Sequence, residues 1–368
     1  MLAQAAILCD NEFRAQEILR ADFPAELCRA AVGLAQLRRE ARDKFALADR
    51  MFFDREGLEM ASRQEIARYR AWRLRHCNAI LDLCCGIGGD LLALGAQAQV
   101  CAVDLDRVRL EMARMNAAAA GLEAVDFIQA DARFIKPRGD AVFLDPARRS
   151  KGRRVRAAEA YSPPLSCIGD LRRSVSAVAV KVAPAIREED LPPECEVEFI
   201  SAAGQCREAV LYFGELATTR RRATILPGRH TLEDSSGEAV PIAPPGAYLY
   251  DPDPAVVRSH LLDPLCRHLD AWKLDPQVAY LSSDTCTSTP FARAYQVPTC
   301  QPFHLKRLRQ LLQGEGFFPN EIKKRRFPMD SQELQQLLKV RSGGQPVTLI
   351  ATRIHDQPVV AICKKVGN

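Results

Sequence analysis

Apolar positions along the 368-residue chain change their spacing twice. Up to about residue 72 they recur at helical steps, as at Ile66, Tyr69 and Trp72, in a stretch rich in Ala, Leu, Arg and Glu and poor in Gly and Pro. That pattern predicts helices. From Ala79 the spacing becomes a series of short apolar runs: Ala79-Ile-Leu-Asp-Leu83, Val100-Cys-Ala-Val103, Val125-Asp-Phe-Ile128, Ala141-Val-Phe-Leu144 and Ala177-Val-Ala-Val180. Such runs, separated by helical segments or short turns, predict a parallel sheet covered on both faces. The clearest helix between them is expected over about 106 to 120, with Val108, Met112 and Met115 on one side and Gly121 ending it.

Glu196-Val-Glu-Phe-Ile-Ser201 and Ala209-Val-Leu-Tyr-Phe213 then read as an antiparallel hairpin appended to the sheet edge. Turn signals after Arg220, including Asp234-Ser-Ser-Gly237 and Ala243-Pro-Pro-Gly246, place a boundary near residue 218. Beyond it a helix is expected from Pro254 to about Leu269 and another from Asp330 or Ser331 through Val340. Val347 to Val366 reads as a hairpin turning at His355-Asp-Gln-Pro358. The predicted organisation is a helical segment (1–72), an α/β domain with a mostly parallel, Rossmann-like sheet (73–217) and an α+β domain (218–368).

Composition narrows the class. Hydrophobic residues at 47% and charged residues at 26% are ordinary globular values and exclude a disordered or low-complexity chain. Lys and Arg exceed Asp and Glu by 51 to 46, a surplus that points to nucleic acid only if the positive residues cluster. Thirteen cysteines are scattered from Cys9 to Cys363 without a C-x-x-C pair, so reduced thiols and no metal centre are expected. With no export signal and no apolar stretch of about eighteen residues, a cytoplasmic location is expected.

The strongest chemical signal is Ile80-Leu-Asp-Leu-Cys-Cys-Gly-Ile-Gly-Gly-Asp90, an apolar strand running into a glycine-rich turn. A dinucleotide fingerprint needs a third glycine where Leu91 stands, and Asp82 would repel a pyrophosphate. A carboxylate there suits a cationic, phosphate-free nucleoside ligand, and S-adenosylmethionine is one. Asp104 with Leu105, at the end of the second strand, is placed to accept from ribose hydroxyls; Asp131 with the amide of Ala132, after the third strand, is placed for adenine. Asp82, Cys84, Gly86, Gly88, Asp104, Leu105, Asp131, Ala132 and Asp145 are the expected cofactor contacts. Asp145-Pro-Ala-Arg148 follows the fourth strand, where Asp145 and Arg148 are the expected catalytic pair, positioning the acceptor for in-line attack.

Residues of about 79 to 217 resemble a class I S-adenosylmethionine-dependent methyltransferase. With Asp145-Pro-Ala-Arg-Arg149 and Tyr248-Leu-Tyr-Asp-Pro-Asp-Pro254, the whole chain resembles the bacterial methyltransferases that end in a THUMP-like domain. The Cys-Gly-x-Gly-Gly turn is similar to that of RNA cap trimethylguanosine synthases, and Asp-Pro-x-Arg to that of RNA uridine C5-methyltransferases. The resemblance implies an RNA-directed enzyme, since THUMP domains bind tRNA.

The departures concern the target atom. Amino-methyltransferases carry Asp/Asn-Pro-Pro followed by an aromatic that stacks on the base, whereas Ala147 and Arg148 stand here and Tyr161 is the nearest downstream ring. Uridine C5 chemistry needs an attacking cysteine, for which Cys195 and Cys206 are candidates, although both read more readily as structural. Arg148, Arg149, Lys151, Arg153, Arg154 and Arg156 form a basic run directly after the motif, and Lys323, Lys324, Arg325 and Arg326 form a second; both are expected to meet RNA phosphates. The competing reading is a catalytically silent RNA-binding or assembly protein that retains the fold.

Overall fold

A computed structural model describes residues 1–8, 11–147, 149–150, 153–154, 158–339 and 343–367, with the backbone alone at 149, 150, 153, 154 and 158. The chain divides into two compact units, Met1–Val197 with Glu208–Thr218, and Glu198–Arg207 with Thr219–Asn368.

In the first unit the helical spacing at the start of the chain produces α1 (Leu2–Leu8), α2 (Glu12–Leu19), α3 (Ala25–Ala41), α4 (Arg55–Met60) and α5 (Gln64–Arg73). Asn11 and Asp54 cap α2 and α4 by accepting from the Arg14 and Gly57 N–H groups, satisfying donors that a helix start leaves orphaned. Small residues (Ala5, Ala15, Cys28, Ala31) let α1, α2 and α3 pack closely. Leu37, Phe45, Met51, Phe53 and Leu58 form a further core that includes Ile87 of the glycine-rich turn.

The strands follow as β1 (Ala79–Leu83), α6 (Leu91–Leu94), β2 (Gln99–Asp104), α7 (Arg107–Ala119), β3 (Val125–Gln129) and β4 (Ala141–Leu144). Next come the two-residue strands β5 (Arg149–Ser150) and β6 (Arg153–Arg154), then α8 (Ile168–Ser174), β7 (Ala177–Val182), β8 (Glu196–Ala202) and β9 (Gln205–Gly214), of which the stretch Glu198–Arg207 is counted with the second unit. β1 pairs in parallel with β2 and β4, β2 with β3, and β4 with β7; β9 returns antiparallel to β7. The expected mostly parallel sheet with an antiparallel hairpin is therefore present. β4 and β7 are buried at every position, which is why their runs are continuously apolar rather than alternating. Since β1 lies between β2 and β4, the chain reverses its winding there and opens a crevice at the strands' carboxyl ends.

Helix α7 differs from expectation in its buried face. Val108 and Met115 are exposed, and the helix buries Leu110, Ala113, Asn116 and Ala117 instead. A Cβ on Gly88 would lie 3.3 Å from Ala113 Cβ, so the turn and the helix approach too closely for large side chains. Small residues take the contact.

The second unit contains β10 (Arg221–Leu226), β11 (His230–Glu233), β12 (Tyr248–Pro252), α9 (Pro254–Arg258), α10 (Leu262–Leu269), β13 (Trp272–Asp275), β14 (Val278–Ser283) and β15 (Ala292–Pro302). It closes with α11 (Leu305–Gly314), β16 (Phe317–Lys324), α12 (Ser331–Leu338), β17 (Gln345–Ile354) and β18 (Gln357–Lys365). A seven-stranded sheet of order β13-β14-β12-β15-β18-β17-β16 carries α11 and α12, whose Leu308, Leu312, Leu334 and Leu338 pack on Val347, Leu349 and Ile362. The expected β17–β18 hairpin turns at His355 and Asp356, both in the left-handed region. The single helix expected from Pro254 is two helices. Pro264, in the first turn of α10, would clash with the carbonyl of His260 in a continuous helix, and His260 takes a φ of 59° instead. Among the described residues no helix is long and apolar enough to cross a membrane.

Candidate functional site

A cleft of about 210 Å³ opens in the first unit where β1, β2, β3 and β4 end. Asp82, Cys84, Gly86, Asp104, Leu105, Asp131, Ala132 and Asp145 all line it, so one crevice gathers acids that successive strands deliver. Gly88 does not line it; its role is the close approach to α7.

Asp82 faces the cleft from β1 and is 1% exposed. Neither of its carboxylate oxygens has a hydrogen-bond partner. An ionised carboxylate in that state is costly, and burial pushes its pKa up to about 7. The charge of Asp145 adds to the rise, Arg70 opposes it, and Asp104 and Lys181 follow with opposite signs.

The turn after β1 is shaped for a ligand to approach backbone. Cys84 has a φ of 62° and Gly86 one of 54°, and a Cβ placed on Gly86 would meet nothing within 4 Å. Asp104 holds this turn: its Oδ2 accepts from Gly86 N–H at 2.8 Å and its Oδ1 from Asp106 N–H at 2.9 Å. Leu105 beside it is 66% exposed and offers the cleft a flat apolar surface. Asp131 caps a short helical turn by accepting from Arg133 N–H at 3.0 Å, and the Arg133 guanidinium grips the same carboxylate at 2.6 Å. That pair holds the Asp131 pKa below the usual carboxylate value. For Asp131 to serve adenine, the exposed Arg133 must share it.

Asp145 lies at the other end of the cleft, tied to Lys181: Nζ donates to its Oδ2 at 2.7 Å. Lys181 Nζ also donates to Ser62 Oγ at 3.0 Å, and Ser62 Oγ donates to Asp90 Oδ2 at 2.8 Å. Asp90 is in turn ion-paired to the fully buried Arg70, which pairs with Glu208. This chain of buried polar groups runs from α5 through the turn to the Asp-Pro-Ala-Arg motif, and the sequence reading missed it. Its one visible trace was a lysine inside the apolar run of β7. The helical segment read as separate also supplies Gly57, Met60 and Ala61 to the cleft wall.

Ala147 is pinned to Ser162 by two backbone hydrogen bonds of 2.9 and 3.0 Å, which brings Ser162 and Pro163 to the cleft beside Asp145. Tyr161 does not provide a stacking ring: it is buried and its hydroxyl accepts from Ala183 N–H at 3.4 Å. Cys195 and Cys206 do not line the cleft. The thiols that do, Cys84 and Cys85, have pKa values pushed well up by burial and by neighbouring carboxylates, the opposite of what a thiolate nucleophile needs.

Of the first basic run, Arg148, Lys151 and Arg156 lie outside the described residues; Arg149 and Arg154 pair across the β5–β6 hairpin by their backbones. In the second run Lys323 and Arg325 both clasp Asp251 of the Tyr248–Pro254 motif, at 2.8 and 2.9 Å. Lys324 pairs with Asp330 at 3.1 Å, and Arg326 is exposed. Two of these four side chains therefore serve the fold of the second unit rather than standing free for phosphate. Asp253 of the same motif caps α9 by accepting from Ala255 N–H.

Residues 80–145 match the sequence profile of a family described as "Methyltransferase domain", and residues 292–365 match one described as "THUMP domain-like". The chain is 39% identical over 308 residues to a protein named an uncharacterized S-adenosylmethionine-dependent methyltransferase in Mycobacterium tuberculosis strain CDC 1551, an alignment covering 82% of this chain and 84% of that one. The counterpart in strain H37Rv matches to the same extent. Among solved structures, a methyltransferase from Porphyromonas gingivalis W83 superimposes with a TM-score of 0.79 at 22% identity, over 94% of this chain and 92% of that one, which establishes the shared fold.

Proposed function

Since the chain belongs to the S-adenosylmethionine-dependent methyltransferases that carry a THUMP domain-like region, we propose that it methylates a base in RNA, a tRNA or rRNA, at an amino or ring nitrogen. The cofactor fits the cleft on two observations. The unpartnered, buried Asp82 carboxylate answers a cation, and the open space over Gly86 lets backbone come close to a ligand. When bound, S-adenosylmethionine supplies an electrophilic methyl group on a sulfonium. In this reading Asp82 faces the methionine end, Asp104 and Leu105 the ribose and adenine, and Asp131 with Ala132 the adenine edge.

Asp145 carries the acceptor side. With one oxygen committed to Lys181, the other is left to accept from the acceptor's N–H and aim its lone pair. The proton-bound thiols of the cleft favour a nitrogen acceptor over a uridine carbon, which would need a cysteine adduct. Pro163 adds an apolar surface to the cleft beside Asp145. The THUMP domain-like region and the basic run after Asp145 support RNA as the acceptor's carrier.

The single observation that carries the reading is the meeting of Asp82 and Asp145 in one cleft, the first unpartnered and the second held by a buried lysine. The test is incubation of labelled S-adenosylmethionine with total RNA from cells lacking the gene, followed by mass spectrometry of nucleosides. One methylated nucleoside above the heat-killed control is the expected result. Label that stays with the cofactor in every RNA fraction leaves the silent RNA-binding protein in its place.

A further inference from the structure

Lys181 sits on β7, where every residue is buried, and its side chain is 3% exposed. A buried ammonium is costly unless it is paired, so its surroundings define its task. Asp145 faces it from the end of β4, and Ser62 from the connection between α4 and α5. Behind Ser62 stands Asp90 of the glycine-rich turn, taken up by Arg70 of α5, whose other partner is Glu208 of β9. Asp82 of β1 and Asp104 of β2 lie in the same cleft, whose lining also carries Arg109, paired with Asp54 and Glu56, and Arg133, paired with Asp131. Arg70 is consumed by two carboxylates. The charge of Arg70 still reaches Asp82, more strongly than that of Lys181; among the described residues of this cluster, Lys181 is the cation bound to Asp145, the carboxylate that presses most on Asp82.

We propose that Lys181 is a positioning residue of this site: its ammonium holds one oxygen of Asp145 and, by balancing that carboxylate, lets Asp82 meet the cofactor's cation in ionised form. Without it, two carboxylates on adjacent strands share one low-dielectric cleft, and one of them keeps its proton. Ser62 aims the ammonium, which ties the helical segment to the cleft's electrostatics. The inference rests on the reading that Asp82 faces the methionine end of the cofactor.

The test needs no methyl acceptor. S-adenosylmethionine binding to the full chain is titrated by calorimetry between pH 6 and 7.5, and the Asp82 carboxyl ¹³C signal of the free protein is followed over pH 5 to 9. Lys181→Gln keeps an N–H for Asp145 but loses the charge. It is expected to move both midpoints up by about one pH unit or more, weakening binding at pH 7 by roughly a further fivefold. Lys181→Arg is expected to keep both midpoints within about half a unit. A purely structural lysine would instead lower the melting temperature and leave the midpoints in place, and a folded Lys181→Gln variant with wild-type midpoints overturns the proposal. Should that variant not fold, Ser62→Ala decides: at least a twofold loss of affinity at pH 7 is expected, and unchanged affinity overturns it. Asp82→Asn separates the two levels of the argument. If it binds the cofactor as tightly as wild type at pH 7.5, the assignment of Asp82 itself fails; if it loses binding while Lys181→Gln changes nothing, only the role of Lys181 does.

Discussion

With Asp82 facing the cofactor's cation as proposed, cofactor binding should release a proton. In the free cleft its carboxyl titrates near 7 because it is buried without a partner and close to Asp145. A cationic ligand binds the carboxylate form, so the free protein must first lose that proton, and affinity falls by the factor 1 + 10^(pKa − pH). Going from pH 7.5 down to pH 6 this amounts to roughly an eightfold rise in Kd, with about 0.5 proton released per binding event at pH 7 and about 0.9 at pH 6. The cofactor's own α-amino group sets the upper end of the useful window. Calorimetry in two buffers of different ionisation heat reads the proton count directly. Asp82→Asn should bind far more weakly and release none.

Stability changes in the opposite sense. The folded pKa lies above the unfolded value of 3.8, so the free protein loses stability as pH rises from about 4 through 7, by up to about 4 kcal/mol at 1.36 kcal/mol per unit. Above pH 7, ligand-free Asp82→Asn should therefore melt higher than wild type while binding worse. A wild-type protein that releases no proton at pH 6, or an Asp82→Asn variant no more stable than wild type at pH 8, would refute the reasoning.

Asp104→Ala removes the acceptor of the Gly86 and Asp106 amides together with the proposed ribose contact, and should weaken cofactor binding about 10- to 100-fold by calorimetry, an estimate from one to two lost charge-assisted hydrogen bonds. Asp145→Ala should abolish methyl transfer to the RNA fraction while leaving a measurable cofactor Kd; unchanged turnover removes Asp145 from the mechanism. Arg70→Met removes the buried cation that Asp90 and Glu208 share and should cost about 3 to 5 kcal/mol in denaturant unfolding. RNA binding should fall steeply with salt, and Arg326→Ala should reduce the slope of log K against log salt by about one, whereas Lys323→Ala should act through melting temperature because that lysine is bound to Asp251.

Local patterns carried much of this molecule. The apolar runs of β1, β4 and β7 are continuous because both faces of a parallel sheet are covered, and the glycine-rich turn and strand-end acids sit within a few residues of those runs. The strands and the cofactor class were therefore legible in the sequence, and eight of the nine residues it singled out for the cofactor line one cleft. What was not legible depends on neighbours brought together by sheet order. Lys181 meets Asp145 across 36 residues, Ser62 across 119, and Arg70 meets Glu208 across 138, and no periodicity in the chain encodes such pairs. The buried face of α7 eluded the pattern for a related reason, since close packing against Gly88 selects for size rather than hydrophobicity. The basic run at 323–326 reads as a phosphate grip until Asp251, distant in sequence, takes two of its cations. The sequence by itself determined which strands form and which acids they end in. Tertiary structure alone decided which charges those acids meet, because desolvation and pairing are properties of the assembled interior.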